Sequence, residues 1–306
     1  MSGWPNSAAQ RNTERLAAAL GLRSVTVTRH PGNAAWVRIR LDRLDPLVTH
    51  TAFPWPAVNA ATMSLWEPVP VAVDEHGETI ALSLIEKNLL LGGEPAAWSR
   101  LAATVVGPDP QAAAQALAGL RSVMDERYGD LLRLGRRKIT RGDGLPLHLV
   151  VIDELALFVN TGDRKLDGEI SNHLRDLVSR GRAAGIIVLA ATQKPSSDVI
   201  PTHIRYLFSM RWALRCATPQ ASDTVLGQGW ATAGFSASTV DAGQRGVGFL
   251  LHEGATPTRC RGFHLSDADL AAIAERAAQL PRSNHHDDDS GGGNDADDEA
   301  DEQAPS

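Results

Sequence analysis

Residues 147–154 read Leu-His-Leu-Val-Val-Ile-Asp-Glu, a largely apolar segment that ends in two adjacent carboxylates. A short apolar segment of this length is typical of a strand that is buried on both faces in a parallel sheet. The carboxyl end of such a strand opens onto the crevice in which open α/β sheets bind their ligands. The segment therefore predicts a buried strand that delivers Asp153 and Glu154 to a site at the edge of the sheet.

An acid pair at a strand end is one half of the nucleotide site of P-loop NTPases, where one acid helps to hold Mg²⁺ and the next is placed to orient a water. The other half is the phosphate loop G-x-x-x-x-G-K-[ST]. Apolar residues 89–91 run into the beginning of such a loop, which is Gly92, Gly93, Glu94 and Pro95. Counted from Gly93, the second glycine, the lysine and the hydroxyl would fall at positions 98–100, where the chain has Trp, Ser and Arg. The phosphate-binding half of the loop is missing.

The bulk composition is that of a globular protein with an unevenly distributed charge. The 306 residues are 43% hydrophobic and 22% charged, with a formal net charge of −6. Nine acids and no lysine or arginine follow His285, so the rest of the chain carries 30 basic and 27 acidic residues. We therefore expect a mildly basic body and an acidic, disordered tail.

The sequence also carries indications of cellular location. Cys216 and Cys260 have no metal-like spacing, which favours free thiols in a reducing cytoplasm. Neither a signal sequence nor an apolar segment long enough to span a bilayer is evident. We expect a cytoplasmic protein that associates with a membrane only through other proteins or segments.

Changes in periodicity divide the chain into a lead-in at 1–20, a β-rich section at 21–85, an α/β domain at 86–282 and the tail at 283–306. The β-rich section contains two predicted hairpins, one across residues 25–41 and one across 69–84. In the α/β domain, we predict helices at 108–134, near 170–178 and from Ser266, and strands at 88–91, 147–152, 186–193, 208–216, 246–252 and 258–263. The strict alternation in 208–216 predicts that this strand has only one covered face. Alternating strands and helices favour an α/β core with a mostly parallel sheet.

Several segments in combination resemble the motor domain of FtsK/SpoIIIE-type DNA translocases. These segments are Asp153-Glu154-Leu155, residues 181–186, residues 191–196, residues 198–201, and the later stretches 211–215 and 222–226. The resemblance covers roughly residues 65–265 and includes the strand and Gly92-Gly93 turn at 88–93. It implies a RecA-like P-loop ATPase that uses ATP and Mg²⁺ and forms a hexameric ring around double-stranded DNA.

The resemblance also implies roles for individual residues. Asp153 would bind Mg²⁺ through water, Glu154 would polarise the attacking water, and Gln193 would sense the γ-phosphate. Arg182 would stabilise charge, either in its own subunit or in a neighbouring one. The residues alone leave alternatives open, because Gln193 also suits a strand end and Arg182 suits a helix C-terminus.

Two basic segments are candidates for contacting DNA phosphates, and a solvated face is the alternative for both. The first lies within residues 133–141 and includes Arg136, Arg137 and Lys138. The second is Arg164 and Lys165, in the loop after the acid pair.

The sequence departs from the family pattern directly after Pro95. Residues 96–98, Ala-Ala-Trp, look like sequence from beyond the next core strand, so we predict that the rest of the phosphate loop, a helix and a strand have been lost. Three interpretations follow. The chain is a DNA translocase with impaired ATP hydrolysis, a non-catalytic DNA-binding or ring-assembly relative, or a deletion remnant without activity.

Overall fold

The computed structural model describes residues 6–30, 33–50, 52–92, 106–196, 199, 202–252 and 256–279. Its centre is an eight-stranded mixed sheet. The strands are β3 (Val69–Asp74), β4 (Thr79–Leu82), β5 (Leu89–Gly92), β6 (His148–Ile152), β7 (Ile186–Thr192), β8 (Met210–Leu214), β9 (Val247–Leu251) and β10 (Thr258–Gly262). Their order across the sheet is β4-β3-β10-β9-β8-β5-β7-β6.

Four neighbouring strands, β8, β5, β7 and β6, are parallel, and the others pair antiparallel. The parallel strands therefore end at a common edge, which we call the carboxyl edge, and begin at the opposite amino edge. Strand β7 is almost completely buried because it is both central and apolar, with Ile186, Val188 and Ala190 at 0% exposure. This arrangement confirms the predicted α/β core, but the sheet is mixed rather than mostly parallel, because only three of its seven strand pairings are parallel.

Helices pack against the sheet. They are α3 (Pro110–Arg133), α4 (Ala156–Val159), α5 (Arg164–Arg180), α6 (Thr202–Arg205) and α7 (Pro219–Leu226), and a last helix, α8 (Asp267–Ala278), follows β10. Leu90 and Val188 pack with Met124 of α3 and Leu174 of α5 in one hydrophobic core. Alternate strand residues such as Leu89 and Ile187 belong to a second core, on the other face of the sheet. Among the described residues, no helix is long and apolar enough to cross a membrane.

The surroundings of strand β8 differ from the prediction that only one of its faces is covered. Trp212 packs in the core that contains Leu89, whereas its neighbour Ala213 is fully buried in a third core with Val225 and Phe249. Both faces of β8 are therefore covered, and the prediction of a single covered face was wrong. The polar alternation was misleading because the small Ala213 packs closely and Arg211 is only partly exposed.

The N-terminal elements are α1 (Asn6–Leu20), β1 (Ser24–His30), β2 (Asn33–Asp42) and α2 (Pro46–Thr49). Strands β1 and β2 form the first predicted hairpin as a separate two-stranded sheet. The second predicted hairpin, β3 and β4, is part of the main sheet, because β3 pairs with β10. The boundary predicted at residue 85 thus does not coincide with a boundary of the sheet. The predicted acidic tail lies outside the described residues.

Candidate functional site at the carboxyl edge

The carboxyl edge brings three of the predicted site segments together. Gly92 at the end of β5 is in register with Thr192 at the end of β7. On the other side of β7, Ile152 of β6 is in register with Ala190, and Asp153 and Glu154 follow it directly. The topology therefore brings the end of β5, Gln193 and the acid pair to adjacent strand ends. Gly93, Glu94 and Pro95, the rest of the predicted loop, lie outside the described residues.

Glu154 is fixed by three hydrogen bonds. The hydroxyl of Thr192 donates to Oε1 at 2.6 Å, the backbone N–H of Ala156 donates to Oε1 at 3.0 Å, and the backbone N–H of Gln193 donates to Oε2 at 2.9 Å. Leu155 adds a backbone bond to the carbonyl of Ala191 at 2.8 Å. Glu154 therefore joins the end of β6 to the end of β7.

Asp153 has the opposite environment. Its side chain is exposed and makes neither a hydrogen bond nor an ion pair with any residue that the structure describes. The side chain of Gln193 is likewise exposed. A free carboxylate at this edge suits a hydrated divalent cation, because Mg²⁺ usually keeps several waters and takes only one or two protein carboxylates.

The residues present fit only part of a Mg²⁺–ATP site. Asp153 can hold the metal through water, and Gln193 lies on the neighbouring strand. A phosphate loop also needs a lysine for the phosphates and a hydroxyl for Mg²⁺, and none of the four lysines in the chain follows a glycine. No group of three or more His, Cys, Asp or Glu side chains that could hold a metal ion occurs in the described part of the chain.

Arg182 lies far from these groups in the same chain. It belongs to a 3-10 turn, Gly181–Ala184, that leads into the first residue of β7 at the amino edge. Its Nη1 donates to the carbonyl of Glu86, ahead of β5, at 3.5 Å. Seven residues of strand, roughly 20 Å, separate the two edges. The structure therefore offers no support for a role of Arg182 at its own acid pair, and a role in a neighbouring subunit stays a prediction.

The two predicted DNA-contacting segments lie at opposite edges and differ in charge. Four of the five bases in residues 133–141 are neutralised by acids, in the ion pairs Arg133–Asp130, Arg136–Asp143, Lys138–Glu86 and Arg141–Glu67. The pKa of Asp143 is lowered by the backbone N–H of Thr140 and by Arg136. Arg137 is the base of this segment without an ion pair to the described residues.

Arg164 and Lys165 start α5, which begins near the carboxyl edge and runs back to the amino edge before β7. Both are exposed, and neither has an ion-pair partner among the described residues. Their charge adds to the positive end of the α5 dipole. Of the two predicted segments, only Arg164 and Lys165 consist entirely of basic side chains without an ion pair to the described residues.

Sequence reasoning missed several residues that hold the site. Asn88 is fully buried ahead of β5, where its amide donates to the carbonyl of Val178 at 2.8 Å and accepts from the N–H of Val188 at 2.7 Å. Thr192 is also fully buried beneath Glu154. Thr192 could have been predicted as a site residue, because it directly precedes Gln193 in the segment that carries the resemblance. Asn88 gave no local signal, because its partners are 90 and 100 residues away.

The sheet order, the flanking helices and the strand-end site define the class of protein as an α/β protein whose fold matches that of RecA-like P-loop ATPases. Solved structures with this fold include the pCW3 conjugation coupling protein TcpA with ATPγS, at 18% identity and a TM-score of 0.60 over 89% of this chain and 87% of that one. Another is the cytoplasmic domain of the Type VII secretion ATPase EccC of Thermomonospora curvata, at 16% identity and a TM-score of 0.54 over 79% and 33%. At these identities, the similarity concerns the fold alone.

Sequence comparison shows that part of the chain is similar to FtsK DNA translocases. It is 31% identical to the FtsK of Halalkalibacterium halodurans over 188 residues, which cover 56% of this chain and 22% of that protein. Over 195 residues it is 27% identical to the FtsK of Staphylococcus epidermidis, with 58% and 23% covered. No family model matches the chain. The resemblance seen in the motifs is confirmed, and the chain spans less than a quarter of the length of these relatives.

Proposed function

We propose that the chain is a DNA-binding relative of the FtsK/SpoIIIE-type translocases that acts in DNA transfer or in chromosome or plasmid segregation, with impaired ATP hydrolysis. The observation that carries the proposal is the carboxyl edge, where Gly92, Gln193 and the acid pair end adjacent parallel strands. The FtsK relatives are named DNA translocases, and the TcpA neighbour is named a conjugation coupling protein. The FtsK names support DNA as the partner, whereas double-stranded DNA and a hexameric ring are implied by the motif resemblance alone, since the TcpA neighbour is described as a monomer form.

The proposed impairment follows from the sequence after Gly93. Without the lysine and the hydroxyl, the β- and γ-phosphates lose a cation and Mg²⁺ loses a ligand. The predicted loss of a strand is supported by β6, which is one of the two edge strands of the described sheet and leaves Leu149 40% exposed. In addition, Glu154 already accepts hydrogen bonds from Thr192, Ala156 and Gln193, which leaves about one of the four acceptor sites of its carboxylate for a water.

The test is a titration of the folded, purified chain with a fluorescent ATP analogue, with and without Mg²⁺, together with phosphate release in the presence of duplex DNA. We expect weak nucleotide binding and no phosphate release that DNA stimulates. Asp153→Asn is the control, because any release that survives it does not come from this site. DNA-stimulated release that Asp153→Asn abolishes would contradict the proposed impairment and restore the active motor.

The alternatives in which the chain is a non-catalytic ring subunit or a deletion remnant are separated by two further measurements. Mass measurement of the purified chain with duplex DNA shows whether copies assemble on it. Sequencing the encoding DNA across the Pro95–Ala96 junction shows whether the short loop is present in the gene. Assembly on DNA from an intact short gene would support a subunit that no longer needs hydrolysis.

A further inference from the structure

The hairpin of β1 and β2 lies with its polar face against the turn that connects β3 and β4. Ser24 is in register with Asp42, and Thr26 with Arg40, so these four side chains share one face. On that face Asp42 accepts a hydrogen bond from Ser24 at 2.9 Å and forms an ion pair with Arg40 at 3.0 Å. Arg40 also pairs with Glu78, in the turn, at 3.3 Å. The side chain of Asp42 is only 11% exposed, so the turn closes this face.

The opposite face of the hairpin is apolar and exposed. Val25 is in register with Leu41, and Val27 with Ile39. Alternation places Val37 on the same face. The exposed fractions are 46% for Val27 and 55% for each of Val37, Ile39 and Leu41. An antiparallel sheet with one packed face normally turns its apolar side chains to the core and its polar ones to solvent, and here the order is reversed.

Helix α1 covers one end of this apolar face and adds further apolar side chains. It packs against β1, and Ala17 and Val25 are each only 6% exposed. Leu16 and Leu20, one turn apart on α1, are 43% and 54% exposed. We call these two leucines and the four exposed strand residues the outer face. An exposed apolar patch built from several neighbouring side chains marks a contact site.

The section that carries the outer face is strongly basic. Residues 1–44 contain seven arginines and only two acids, Glu14 and Asp42. Arg15, next to Leu16, and Arg43, which follows the end of β2, are exposed. Neither of these two arginines forms an ion pair within the ranges that the structure describes. The charge around the outer face therefore favours an anionic partner.

The combination of apolar surface and positive charge decides between possible partners. A second copy of the chain would bring two basic sections together, and their repulsion opposes such a contact. An anionic bilayer offers acyl chains to the aliphatic side chains and phosphates to the arginines. We propose that the outer face docks on an anionic lipid surface, with its aliphatic side chains in the headgroup region. Neither DNA nor nucleotide takes part in this contact, so it does not rest on the proposed function.

The test is co-sedimentation of the full chain with vesicles of phosphatidylcholine, alone or mixed with phosphatidylglycerol. We expect binding to the anionic vesicles that weakens as NaCl is raised. Val27→Thr with Ile39→Thr should lower the partition roughly tenfold or more, because it removes buried apolar surface and keeps the β-branched shape. Arg15→Gln with Arg43→Gln should also lower it roughly tenfold or more, because it removes two charges near the lipid phosphates.

Two matched controls lie outside the outer face. Leu132→Gln with Leu134→Gln replaces two exposed leucines at the end of α3. Arg137→Gln with Arg175→Gln removes two exposed arginines that form no ion pair in the described part of the chain. Both controls should leave the partition within about twofold of that of the unaltered chain, since charges beyond the Debye length contribute little. Circular dichroism of every variant confirms that it is folded.

Four outcomes decide between the proposal and its alternatives. Absence of binding to the anionic vesicles would overturn it, as would equal partition of the unaltered chain and the Val27→Thr, Ile39→Thr variant. Mass measurement without lipid adds a third: if the chain forms dimers that this variant dissociates, and does not bind vesicles, the outer face is a contact between copies and the proposal is again overturned. Vesicle binding by a chain that shows no DNA binding would leave this proposal intact and count only against the proposed function.

Discussion

Both carboxylate oxygens of Glu154 accept hydrogen bonds, whereas the side chain of Asp153, one residue earlier, forms neither a hydrogen bond nor an ion pair with the described residues. An amide at position 154 would direct its NH₂ group either at the N–H of Gln193 or at the hydroxyl of Thr192 and the N–H of Ala156, so at least one donor would lose its acceptor. At position 153 an amide would replace a solvated carboxylate. The two neighbours should therefore respond very differently to the same chemical change.

We expect Glu154→Gln to lower the free energy of unfolding by about 1–3 kcal/mol. Thr192→Val should cost about 1 kcal/mol, because it removes a single donor. Asp153→Asn, the matched control, should stay within about 0.5 kcal/mol. Urea unfolding followed by circular dichroism measures all three. Equal destabilisation by the two acid substitutions would show that Asp153 has a structural contact of its own.

The two cysteines make stability depend on alkaline pH. Burial raises the pKa of Cys216 to about 11, and that of Cys260 to about 12, from 9.0. Between these values the folded state keeps the thiols protonated while the unfolded chain releases the protons, so unfolding becomes more favourable as pH rises above 9. Each thiol contributes up to about 1.4 kcal/mol per pH unit there.

We expect a double Cys216→Ala, Cys260→Ala variant to lose less stability than the unaltered chain between pH 8.5 and 10.5 (roughly the range above the unfolded thiol pKa). Comparing the two proteins removes the contribution of the other groups that titrate in this range. If the free energies of unfolding of the two proteins, measured with urea, changed in parallel with pH, the thiols would have the same pKa in the folded and unfolded states.

At the scale of elements, a buried arginine of α3 forms hydrogen bonds with backbone carbonyls at the amino edge of the sheet. Arg127 is 5% exposed, and burial lowers its pKa. Its guanidinium donates to the carbonyl of Ala184 at 2.7 Å and to that of Pro146 at 2.9 Å, and it lies 3.0 Å from Nε2 of His148. Its partners begin β6 and precede β7, so one side chain of α3 joins the starts of two parallel strands.

We expect Arg127→Met to lower the free energy of unfolding by about 2–5 kcal/mol, since it leaves two carbonyls without a donor. Arg137→Met, on an exposed arginine of the segment after α3, should be close to neutral. Chemical unfolding of both variants is the measurement. A small effect of Arg127→Met would mean that water replaces the guanidinium.

The elements also show which parts of this fold can be predicted from sequence. The strand at β7 follows from its unbroken apolar composition, and α8 follows from Ser266 and Asp269, whose side chains cap it as expected. The membership of β3 in the main sheet could not be predicted, because Asp74 pairs with Cys260, far along the chain, and local patterns carry no information on such pairing. The acid pair could be placed at a strand end, but the hydrogen bonds that distinguish Glu154 from Asp153 depend on β7.

At the scale of the whole molecule, the two predicted DNA-contacting segments differ in how far their positive charge is already paired. Arg164 and Lys165 at the start of α5 have no ion-pair partner among the described residues, as is also true of Lys194 and Arg215. At the amino edge, Arg136 and Lys138 are held by Asp143 and Glu86. An arginine or lysine that is already paired releases fewer counterions from DNA, because its own acid must be displaced first.

This difference predicts which basic segment matters for DNA. If the proposed DNA binding holds, Arg164→Ala with Lys165→Ala should weaken binding to duplex DNA of any sequence and reduce the slope of log affinity against log salt by about 2. Arg136→Ala with Lys138→Ala is the matched control, since it removes the same formal charge from ion pairs and should change the slope by less than about 1. Fluorescence anisotropy over a series of NaCl concentrations measures both slopes. A larger effect of the amino-edge pair would mean that Asp143 and Glu86 release their partners on DNA, and that DNA runs along the opposite side of the sheet.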